Sequence, residues 1–381
     1  MPGIPIVRKK IDQSYLVWFQ NSNLYIQLEE PAWFVLRRTV KRYKAETIAA
    51  ECAKRYSLNF EECLQFVNDV RSNIKELNRP DEPLVRREKF PDELKTRKFV
   101  PYSVKRYQIT EKIIEFAFGN PQFESYFNPL ISYLQTDKSN GKMSQFELFD
   151  DEGKSVLRLN GEIKGVWTKD RTHRLIGFTY MSMINEMYSK NDDFWLMTVH
   201  AAALTNGKKT ILIPAESGSG KTTMAALLQN RGYQLLSDDF VPIDRHLFRA
   251  WHFPMAMSVK HGALDVLSSL YSGLEQKPIT ETPAKKSVRY LHPDYDPERP
   301  NTASPVKDVI ALKYDPTVEF EFKKADRIKA IRLMLDQSWI LPTPGNAGIF
   351  LDQVAEWSFY ELTYSNNEKA LDAISKLFDH E

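Results

Sequence analysis

Thr210-Ile-Leu-Ile-Pro-Ala-Glu-Ser-Gly-Ser-Gly-Lys-Thr222 joins a short apolar run to a turn of small residues that ends in a lysine. The apolar run is typical of a buried strand, and the residues from Thr223 onwards are typical of the start of a helix. A loop of small residues before a helix binds phosphate, because its backbone N–H groups can turn towards the anion. The sequence therefore predicts a nucleotide-binding loop, whose residues are Glu216, Ser217, Gly218, Ser219, Gly220, Lys221, Thr222 and Thr223.

The loop matches the phosphate-loop pattern G-x-x-x-x-G-K-[ST] except at its first position, where Ala215 replaces glycine. In this pattern the lysine, here Lys221, contacts the outer phosphates, and the hydroxyl group that follows it, here that of Thr222, ligates Mg²⁺. We therefore expect ATP or another nucleoside triphosphate as a cofactor, together with Mg²⁺.

A second motif, Leu235-Leu-Ser-Asp-Asp-Phe240, follows one short helix later. Asp and Ser at the end of a strand are also common in simple turns. We favour a functional site, because ligands bind at the carboxyl ends of the strands in parallel α/β sheets. Neighbouring side chains on an extended strand point in opposite directions, so Asp238 and Asp239 are expected to have different roles. One would hold the metal ion and the other would take a proton from an attacking hydroxyl group.

Three segments in this order resemble the HPr kinase/phosphorylase superfamily, namely Met197-Thr-Val-His-Ala-Ala-Ala-Leu204, the loop ending at Thr222, and Leu236-Ser-Asp-Asp-Phe240. The resemblance implies an α/β kinase domain with a P-loop fold, a mixed sheet and flanking helices. It also implies that Asp238 is the catalytic base, that His200 lies beside it, and that Asp239 contributes to the metal site. The segment associated with phosphorolysis in that superfamily has no clear counterpart here.

A basic residue is expected to stabilise the phosphoryl group during transfer. The candidates are Arg289 and Arg299, within the proline-rich segment 276–306, and Lys260 at the end of a predicted strand. A segment of this length without periodicity is typical of a lid. We therefore predict that residues 276–306 form a mobile lid over the acceptor and the nucleotide.

The amino-terminal residues 1–78 have a different pattern. Two aromatic, alternating runs at 15–20 and 23–28 predict a strand pair, and three helices are predicted to follow. This order predicts a small α+β winged-helix domain. It is similar to the PqqD-like domains that recognise precursor peptides, in which a leader peptide adds as a further strand. The residues that would form this peptide groove are Leu24, Tyr25, Ile26, Gln27, Phe66, Val67 and Val70.

Residues 79–104 are rich in proline and charge and are predicted to be a linker. The kinase domain would then take residues 105–381. Within it we expect an amino-terminal lobe at 105–195, with strands at 112–118, 145–149 and 155–159 and a helix at 174–188. The P-loop catalytic core would take residues 196–381.

The composition of the chain limits its partners. A net charge of +2 across 381 residues gives no electrostatic reason to expect a nucleic-acid or membrane partner. Basic residues near position 40 would suit DNA binding, but they equally suit a solvated helix face. The chain has 2 cysteines and no apolar run of membrane-spanning length, and its start does not resemble a signal peptide, so we expect a cytoplasmic protein.

The sequence as a whole predicts an ATP-dependent kinase that phosphorylates a serine hydroxyl on a peptide or protein. A ribosomally made precursor peptide held by the amino-terminal domain is the expected acceptor. Two alternatives remain: a kinase of a small hydroxylated metabolite, and a nucleotide-sensing regulatory protein without transfer activity. The superfamily resemblance also allows a homo-oligomer.

Overall fold

The structure is a computed structural model that describes residues 6–79, 90–139, 141–216, 218–282, 285–296 and 303–379. The chain divides into two compact units. The first unit combines the amino-terminal part of the chain with two later segments, and its ranges are Met1–Arg87, Asp326–Arg332 and Ile340–Trp357. The second unit takes Glu88–Ala325, Leu333–Trp339 and Ser358–Glu381. The sequence-based domain at 1–78 does not include the two later segments.

The first unit contains a three-stranded antiparallel sheet in the order β1-β2-β3. The helices that follow it confirm the predicted order of two strands and three helices, with one additional strand in front. The elements are β1 (Ile6–Ile11), β2 (Ser14–Phe19), β3 (Leu24–Leu28), α1 (Glu30–Val40), α2 (Ala45–Tyr56) and α3 (Phe60–Leu77).

One face of this sheet packs on the helices, because alternate residues of a strand point to the same side. Val17 and Ile26 on this face share a core with Trp33 of α1 and Ile74 of α3. A helix from late in the chain, Pro344–Val354, also contacts this sheet. It packs against β1, and the ring of its Phe350 meets the ring of Tyr25. The amino-terminal sheet is therefore completed by residues more than 300 positions later in the sequence.

The second unit begins with a five-stranded sheet in the order β4-β5-β6-β7-β8. The predicted strands at 112–118, 145–149 and 155–159 and the helix at 174–188 are all present in this region. Its elements are α4 (Asp92–Thr96), β4 (Ser103–Ile109), β5 (Lys112–Phe118), α5 (Pro121–Ile131), β6 (Met143–Asp151), β7 (Lys154–Leu159), β8 (Glu162–Thr168) and α6 (Thr172–Tyr188).

A mixed ten-stranded sheet follows and carries the predicted nucleotide loop. Its main path has the order β12-β10-β11-β18-β14-β13-β9-β20, and β21 pairs with both β18 and β19. The elements of this part are β9 (Trp195–Val199), β10 (Ala201–Thr205), β11 (Thr210–Pro214), α7 (Lys221–Asn230), β12 (Gln234–Ser237), β13 (Val241–Asp244), β14 (Arg249–Trp251), β15 (Met257–Lys260), α8 (Leu264–Leu267), β16 (Thr280–Glu281), β17 (Ser287–Leu291), β18 (Ala303–Tyr314), β19 (Phe320–Lys324), α9 (Arg327–Asp336), β20 (Ser338–Ile340), α10 (Pro344–Val354), β21 (Ser358–Tyr364) and α11 (Asn367–Asp379).

The strands of this sheet run in both directions, as expected for a mixed sheet. β10 lies between β11 and β12 and runs antiparallel to both. Consequently β11 and β12 run in the same direction, and β18 and β21 run parallel to β11 as well. The carboxyl ends of β12, β11, β18 and β21 therefore meet at one edge of the sheet, although β11 and β12 are not neighbours.

The predicted lid at 276–306 is partly regular structure, which corrects the expectation that it lacks any. β16 and β17 lie within this segment and form a separate three-stranded antiparallel sheet with β15, in the order β15-β17-β16. Val288 and Leu291 of β17 are buried, which explains why the strand is held in place. Among the described residues, no helix combines the length and the apolar character needed to cross a membrane.

Candidate nucleotide and phosphoryl-transfer site

The predicted nucleotide loop connects a buried strand to a helix, as expected. All five residues of β11 are buried, and α7 begins at Lys221. Gly218 and Gly220 have φ angles of +100° and +90°, which L-residues with a side chain rarely adopt. The carbonyl of Glu216 accepts hydrogen bonds from the backbone N–H and the hydroxyl of Ser219, at 3.2 and 2.8 Å. Ser217 lies outside the described residues, and Thr223 follows in the first turn of α7.

Gly220 is confined by two tyrosines that end neighbouring strands. A Cβ atom at this position would lie 2.6 Å from the hydroxyl of Tyr364 and 3.3 Å from Cβ of Tyr314. In addition, the backbone N–H of Tyr314 donates a hydrogen bond of 2.9 Å to the carbonyl of Ser219. The loop is thus attached to the ends of β18 and β21, and a side chain at position 220 would not fit.

The ammonium group of Lys221 binds both aspartates of the second motif. Its Nζ lies 3.1 Å from Oδ1 of Asp238 and 2.8 Å from Oδ1 of Asp239, and it also donates to the backbone carbonyl of Asp238. The expectation that the two carboxylates point in opposite directions is wrong. β12 ends at Ser237, so both residues lie in a bend rather than in an extended strand, and the bend turns them towards the same cation.

The two aspartates nevertheless have different surroundings. Asp238 is 3% exposed, and its Oδ2 accepts a hydrogen bond of 2.8 Å from the hydroxyl of Thr222. Burial raises the pKa of Asp238 above its ordinary value, although Lys221 acts in the opposite direction. The side chain of Asp239 is 54% exposed. Burial alone would raise the pKa of Asp239, but the nearby Lys221 and His200 bring it below its ordinary value.

His200 lies between β9 and β10 and contacts Asp239, whereas the superfamily resemblance implied Asp238. Its Nδ1 is 3.1 Å from the backbone carbonyl of Asp239 and 3.6 Å from Oδ1 of the same residue. Because a carbonyl oxygen only accepts, Nδ1 carries a proton in this contact. The backbone N–H of His200 donates to the carbonyl of Gln337 at 2.7 Å, which fixes the position of the residue between the two strands.

Lys260 shares its electrostatic environment with this cluster. Burial lowers its pKa, as do the positive charges of Lys286 and Lys221, while Asp239 and Asp238 act in the opposite direction. The predicted phosphate-stabilising candidate therefore lies within electrostatic range of the acid pair.

The structure does not place the two arginine candidates for phosphate stabilisation at the acid pair. Arg289 is part of β17, and its Nε donates to the carbonyl groups of Glu275 and Lys277, at 3.2 and 3.0 Å. This bonding gives Arg289 a structural role, since it holds the loop before β16. Arg299 lies outside the described residues.

Two tyrosines near the acid pair are not apparent from the sequence. Burial raises the pKa of Tyr180 in α6 and of Tyr290 in β17, and the negative charge of Asp239 adds to both shifts. Tyr290 faces Ser258 across the β15–β17 pair. A sequence pattern does not show this approach, because it depends on the register of a sheet whose strands are separated by a long connection.

The predicted peptide groove of the first unit is only partly exposed. Leu24 and Phe66 are 44% and 38% exposed, but Val67 is fully buried in the core between α2 and α3. Tyr25 packs against Phe350, and its buried hydroxyl group has no hydrogen-bond partner among the residues that the structure describes. Ile26 and Val70 pack against the core that contains Trp33, and Gln27 donates to the hydroxyl of Ser14. Within the described part of the chain, β3 is the last strand of its sheet, so its outer edge has no strand partner.

The candidate site contains oxygen atoms that can bind a hard cation such as Mg²⁺, but they do not form a dense cluster of ligands among the described residues. Within the described ranges, no group of three or more His, Cys, Asp and Glu side chains is arranged to hold a metal ion. The hydroxyl of Thr222 and the carboxylate of Asp238, in contact at the start of α7, are both ligand types that Mg²⁺ accepts alongside water and phosphate oxygens. These residues fit a metal ion that is bound together with a nucleotide.

Comparisons with known proteins add little to this geometry. The sequence matches no protein-family profile. A search of curated proteins also finds no match. Among solved structures, the chain is similar to the Hpr(Ser) kinase/phosphatase from Coxiella burnetii, with 14% sequence identity and a TM-score of 0.21. The similarity covers 47% of this chain and 88% of that protein.

Proposed function

We propose that this protein transfers a phosphoryl group from a nucleoside triphosphate, ATP or another, to a hydroxyl group. The observation that carries this proposal is the position of Lys221. Its ammonium group lies at the start of α7, directly after a glycine-containing loop, and binds two carboxylates at the end of β12. A cation, a helix N-terminus and two acidic side chains at one sheet edge are the groups that phosphoryl transfer requires.

The phosphate groups would bind at the loop. The N-terminus of α7 carries partial positive charge and free N–H groups, and Gly218 leaves open space, because no atom of the described residues lies within 4 Å of a Cβ built at that position. Lys221 would exchange part of its contact with Asp238 and Asp239 for contact with the outer phosphates. An anion between the lysine and the carboxylates must be accompanied by a cation, since it would otherwise be repelled by the two acids.

The residues suited to hold that cation are Thr222 and Asp238. The Thr222 hydroxyl and the Asp238 carboxylate are in direct contact at 2.8 Å. Because Asp238 is buried, a large acceptor molecule cannot easily reach it. Mg²⁺ at this position supplies charge neutralisation on the phosphate oxygens. The sequence assigned the metal-linked role to Asp239, but the contact between Thr222 and Asp238 favours Asp238 for it.

Asp239 is then the residue suited to accept the proton. It is half exposed, so an acceptor can approach it, and its lowered pKa keeps it ionised at neutral pH. In the reaction, the acceptor oxygen forms a bond to the γ-phosphorus, the bond between that phosphorus and the β-phosphate oxygen breaks, and the hydroxyl proton passes to Asp239. His200 orients this residue through its Nδ1 contact. Lys260 is suited to balance charge on the transferred group.

For the acceptor, we propose a serine hydroxyl on a peptide or protein, with a precursor peptide of ribosomal origin as the first candidate. The unpaired edge of β3 supports this choice, because a peptide can add to such an edge through backbone hydrogen bonds. Leu24 and Phe66 offer exposed apolar surface for its side chains. The buried residue Val67 would act only by holding α3 in place.

The test is a transfer assay with the full chain. The protein is incubated with ATP, Mg²⁺ and a set of serine-containing precursor peptides, and a phosphate-sized gain in peptide mass is measured. We expect Lys221→Met to lower the rate by about 100-fold or more. A wild-type protein that binds ATP but modifies no peptide and no small hydroxylated metabolite would favour a nucleotide sensor and contradict the proposal.

A second arm tests the peptide site separately. Leu24→Asp places a charge on the edge strand and is expected to raise the KM for the peptide while leaving the KM for ATP unchanged. The matched control is Leu270→Asp, which changes a leucine of similar exposure, 42%, that follows α8 in the second unit. Equal effects of the two substitutions on peptide KM would argue against the β3 edge as the peptide site.

A further inference from the structure

The nucleotide loop has different neighbours on its two sides. The sheet order β12-β10-β11-β18, with β21 beyond β18, places the acid pair after β12 on one side of the loop. The carboxyl ends of β18 and β21 lie on the other side, because both strands run parallel to β11. These two ends are Tyr314 and Tyr364.

Tyr314 combines exposure with a fixed position. It is 46% exposed, while its backbone N–H is bonded to Ser219 of the loop at 2.9 Å. Its ring meets that of Tyr364 edge to face, with ring centroids 5.7 Å apart and an angle of 81° between the planes. Tyr364 itself is 1% exposed and forms part of the main core of the unit. A buried tyrosine thus supports an exposed one directly beside Gly220.

We propose that the ring of Tyr314 is the surface on which the base of the nucleotide stacks. This inference rests on the proposed phosphoryl transfer. The phosphoryl group to be transferred must lie next to Asp239, so the remaining phosphates extend across the loop away from the acid pair. The ribose and the base then leave the loop on the side of β18 and β21, where Tyr314 is the exposed aromatic side chain attached to the loop.

The chemistry of stacking also defines the specificity. Every base has a π face, so a single aromatic platform binds purine nucleotides without reading their hydrogen-bonding edges. We therefore expect the site to accept both ATP and GTP, with affinities within about 10-fold of each other. Stacking on an aromatic side chain contributes about 1–3 kcal/mol per base.

The experiment measures dissociation constants of the full chain for ATP, GTP and inorganic tripolyphosphate in the presence of Mg²⁺, by calorimetry. Tripolyphosphate has the phosphate chain but no base. Converted at about 1.4 kcal/mol per tenfold, loss of stacking in Tyr314→Ala should weaken ATP and GTP binding by about 5-fold to 140-fold. Tripolyphosphate binding should change by less than about 2-fold, because the charges of the loop are unaltered. Tyr314→Phe should bind all three ligands like the wild type.

Two further variants separate stacking from packing. Tyr314→Leu retains most of the packing volume without the π face and should lose nucleotide affinity as Tyr314→Ala does. Tyr102→Ala removes a 61% exposed tyrosine just before β4 and should leave all three affinities unchanged. Wild-type ATP affinity in Tyr314→Leu, or an equal loss for ATP and tripolyphosphate in both Tyr314 variants, would overturn the inference.

The variant Lys221→Met distinguishes this inference from the proposal on which it rests. If Lys221→Met binds ATP and tripolyphosphate as the wild type does, the proposed nucleotide site itself is wrong. If it loses both ligands while the Tyr314 variants bind ATP normally, the loop is a nucleotide site and only the stacking role of Tyr314 is wrong.

Discussion

The hydroxyl group of Thr222 donates a 2.8 Å hydrogen bond to Oδ2 of Asp238. This contact joins the first turn of α7 to the end of β12. The buried carboxylate of Asp238 is therefore bonded to the residues that follow the nucleotide loop. Asp239, the next residue, is left half exposed beside His200. The two neighbouring acids therefore differ in exposure and in partners, and this difference supports metal binding for the buried Asp238 beside Thr222 and proton acceptance for the half-exposed Asp239.

The first prediction compares Asp239→Asn with Asp238→Asn. Removing the proton acceptor should lower kcat by about 100-fold to 10,000-fold, with ATP affinity nearly unchanged. Asp238→Asn should instead raise the Mg²⁺ concentration needed for half-maximal rate, because an amide is a weaker ligand than a carboxylate. Steady-state assays across a Mg²⁺ titration measure both effects. A loss of transfer in Asp238→Asn at every Mg²⁺ concentration, with transfer retained in Asp239→Asn, would restore the roles that the superfamily resemblance implied.

The second prediction concerns Gly220. In Gly220→Ala, the new Cβ meets the Tyr364 hydroxyl at 2.6 Å, in addition to backbone strain at a φ of +90°. Gly218→Ala has comparable strain at a φ of +100°, but its new Cβ would meet no atom of the described residues within 4 Å, so the substitution should cost only about 1–2 kcal/mol. Urea unfolding should therefore show a larger loss for Gly220→Ala. Adding Tyr364→Phe removes the clashing oxygen and should recover part of that loss. Equal losses for the two glycine variants, with no recovery, would show that the tyrosine contact is unimportant.

The third prediction concerns Asp244, which is fully buried at the end of β13. Its carboxylate accepts hydrogen bonds from the backbone N–H groups of His246 and Leu247, from Nε of Arg249 and from Nε1 of Trp251. Burial alone would raise the pKa of Asp244, but these four donors bring it below its ordinary value. Asp244→Asn turns an amide N–H₂ group towards some of these donors and should cost about 2 kcal/mol or more at pH 7.

The sign of the pH dependence follows from the lowered pKa. The stabilisation from Asp244 is fully present above the unfolded pKa of about 3.9, and it is lost as the pH falls through the lower folded value. The difference in free energy of unfolding between wild type and Asp244→Asn should therefore be constant from pH 7 to about 5 and shrink below about pH 4. Asp265→Asn, at an exposed position in α8, serves as the control and should change little. A difference that stays the same down to pH 2 would contradict this account.

Local patterns in the sequence predict much of this structure. The apolar run of β11, the glycines of the loop and the helix start at Lys221 occur within 12 residues, so the signal is contained in one segment. The strands β5, β6 and β7 and the helix α6 are likewise visible from their own periodicity. The acid pair is also predictable, because a strand end close to a phosphate loop lies at the same sheet edge.

The remaining features depend on contacts between distant parts of the chain. The common orientation of Asp238 and Asp239 results from a bend after β12, in which both carboxylates contact Lys221, and alternation along a strand does not describe a bend. The order inside the predicted lid arises because β17 pairs with β15 across almost 30 residues. The helix α10 has a plain amphipathic sequence that does not indicate which sheet it covers.

The last prediction concerns this helix. Phe350 of α10 is 1% exposed, and its ring lies 5.5 Å from that of Tyr25 in β3. Phe350→Ala should destabilise the first unit by about 3–5 kcal/mol, as is usual for removing a buried aromatic side chain. Hydrogen exchange should therefore become faster in β2 and β3, whereas β11 in the second unit should remain protected. Unchanged exchange in β2 and β3 would mean that α10 contributes little to this sheet.

The matched control removes an exposed contact between the same helix and another strand of the same sheet. Lys9 of β1 lies 2.7 Å from Asp352 of α10, but the Asp352 side chain is 74% exposed, so Lys9→Ala should cost less than about 1 kcal/mol.

The packing of α10 on the amino-terminal sheet also determines how the peptide site can be tested. Deleting residues 1–78 would leave Phe350 and the rest of the buried face of α10 without the sheet that covers them. A loss of activity in such a deletion would then reflect exposed apolar surface as much as a missing peptide site, and point variants such as Leu24→Asp avoid that ambiguity.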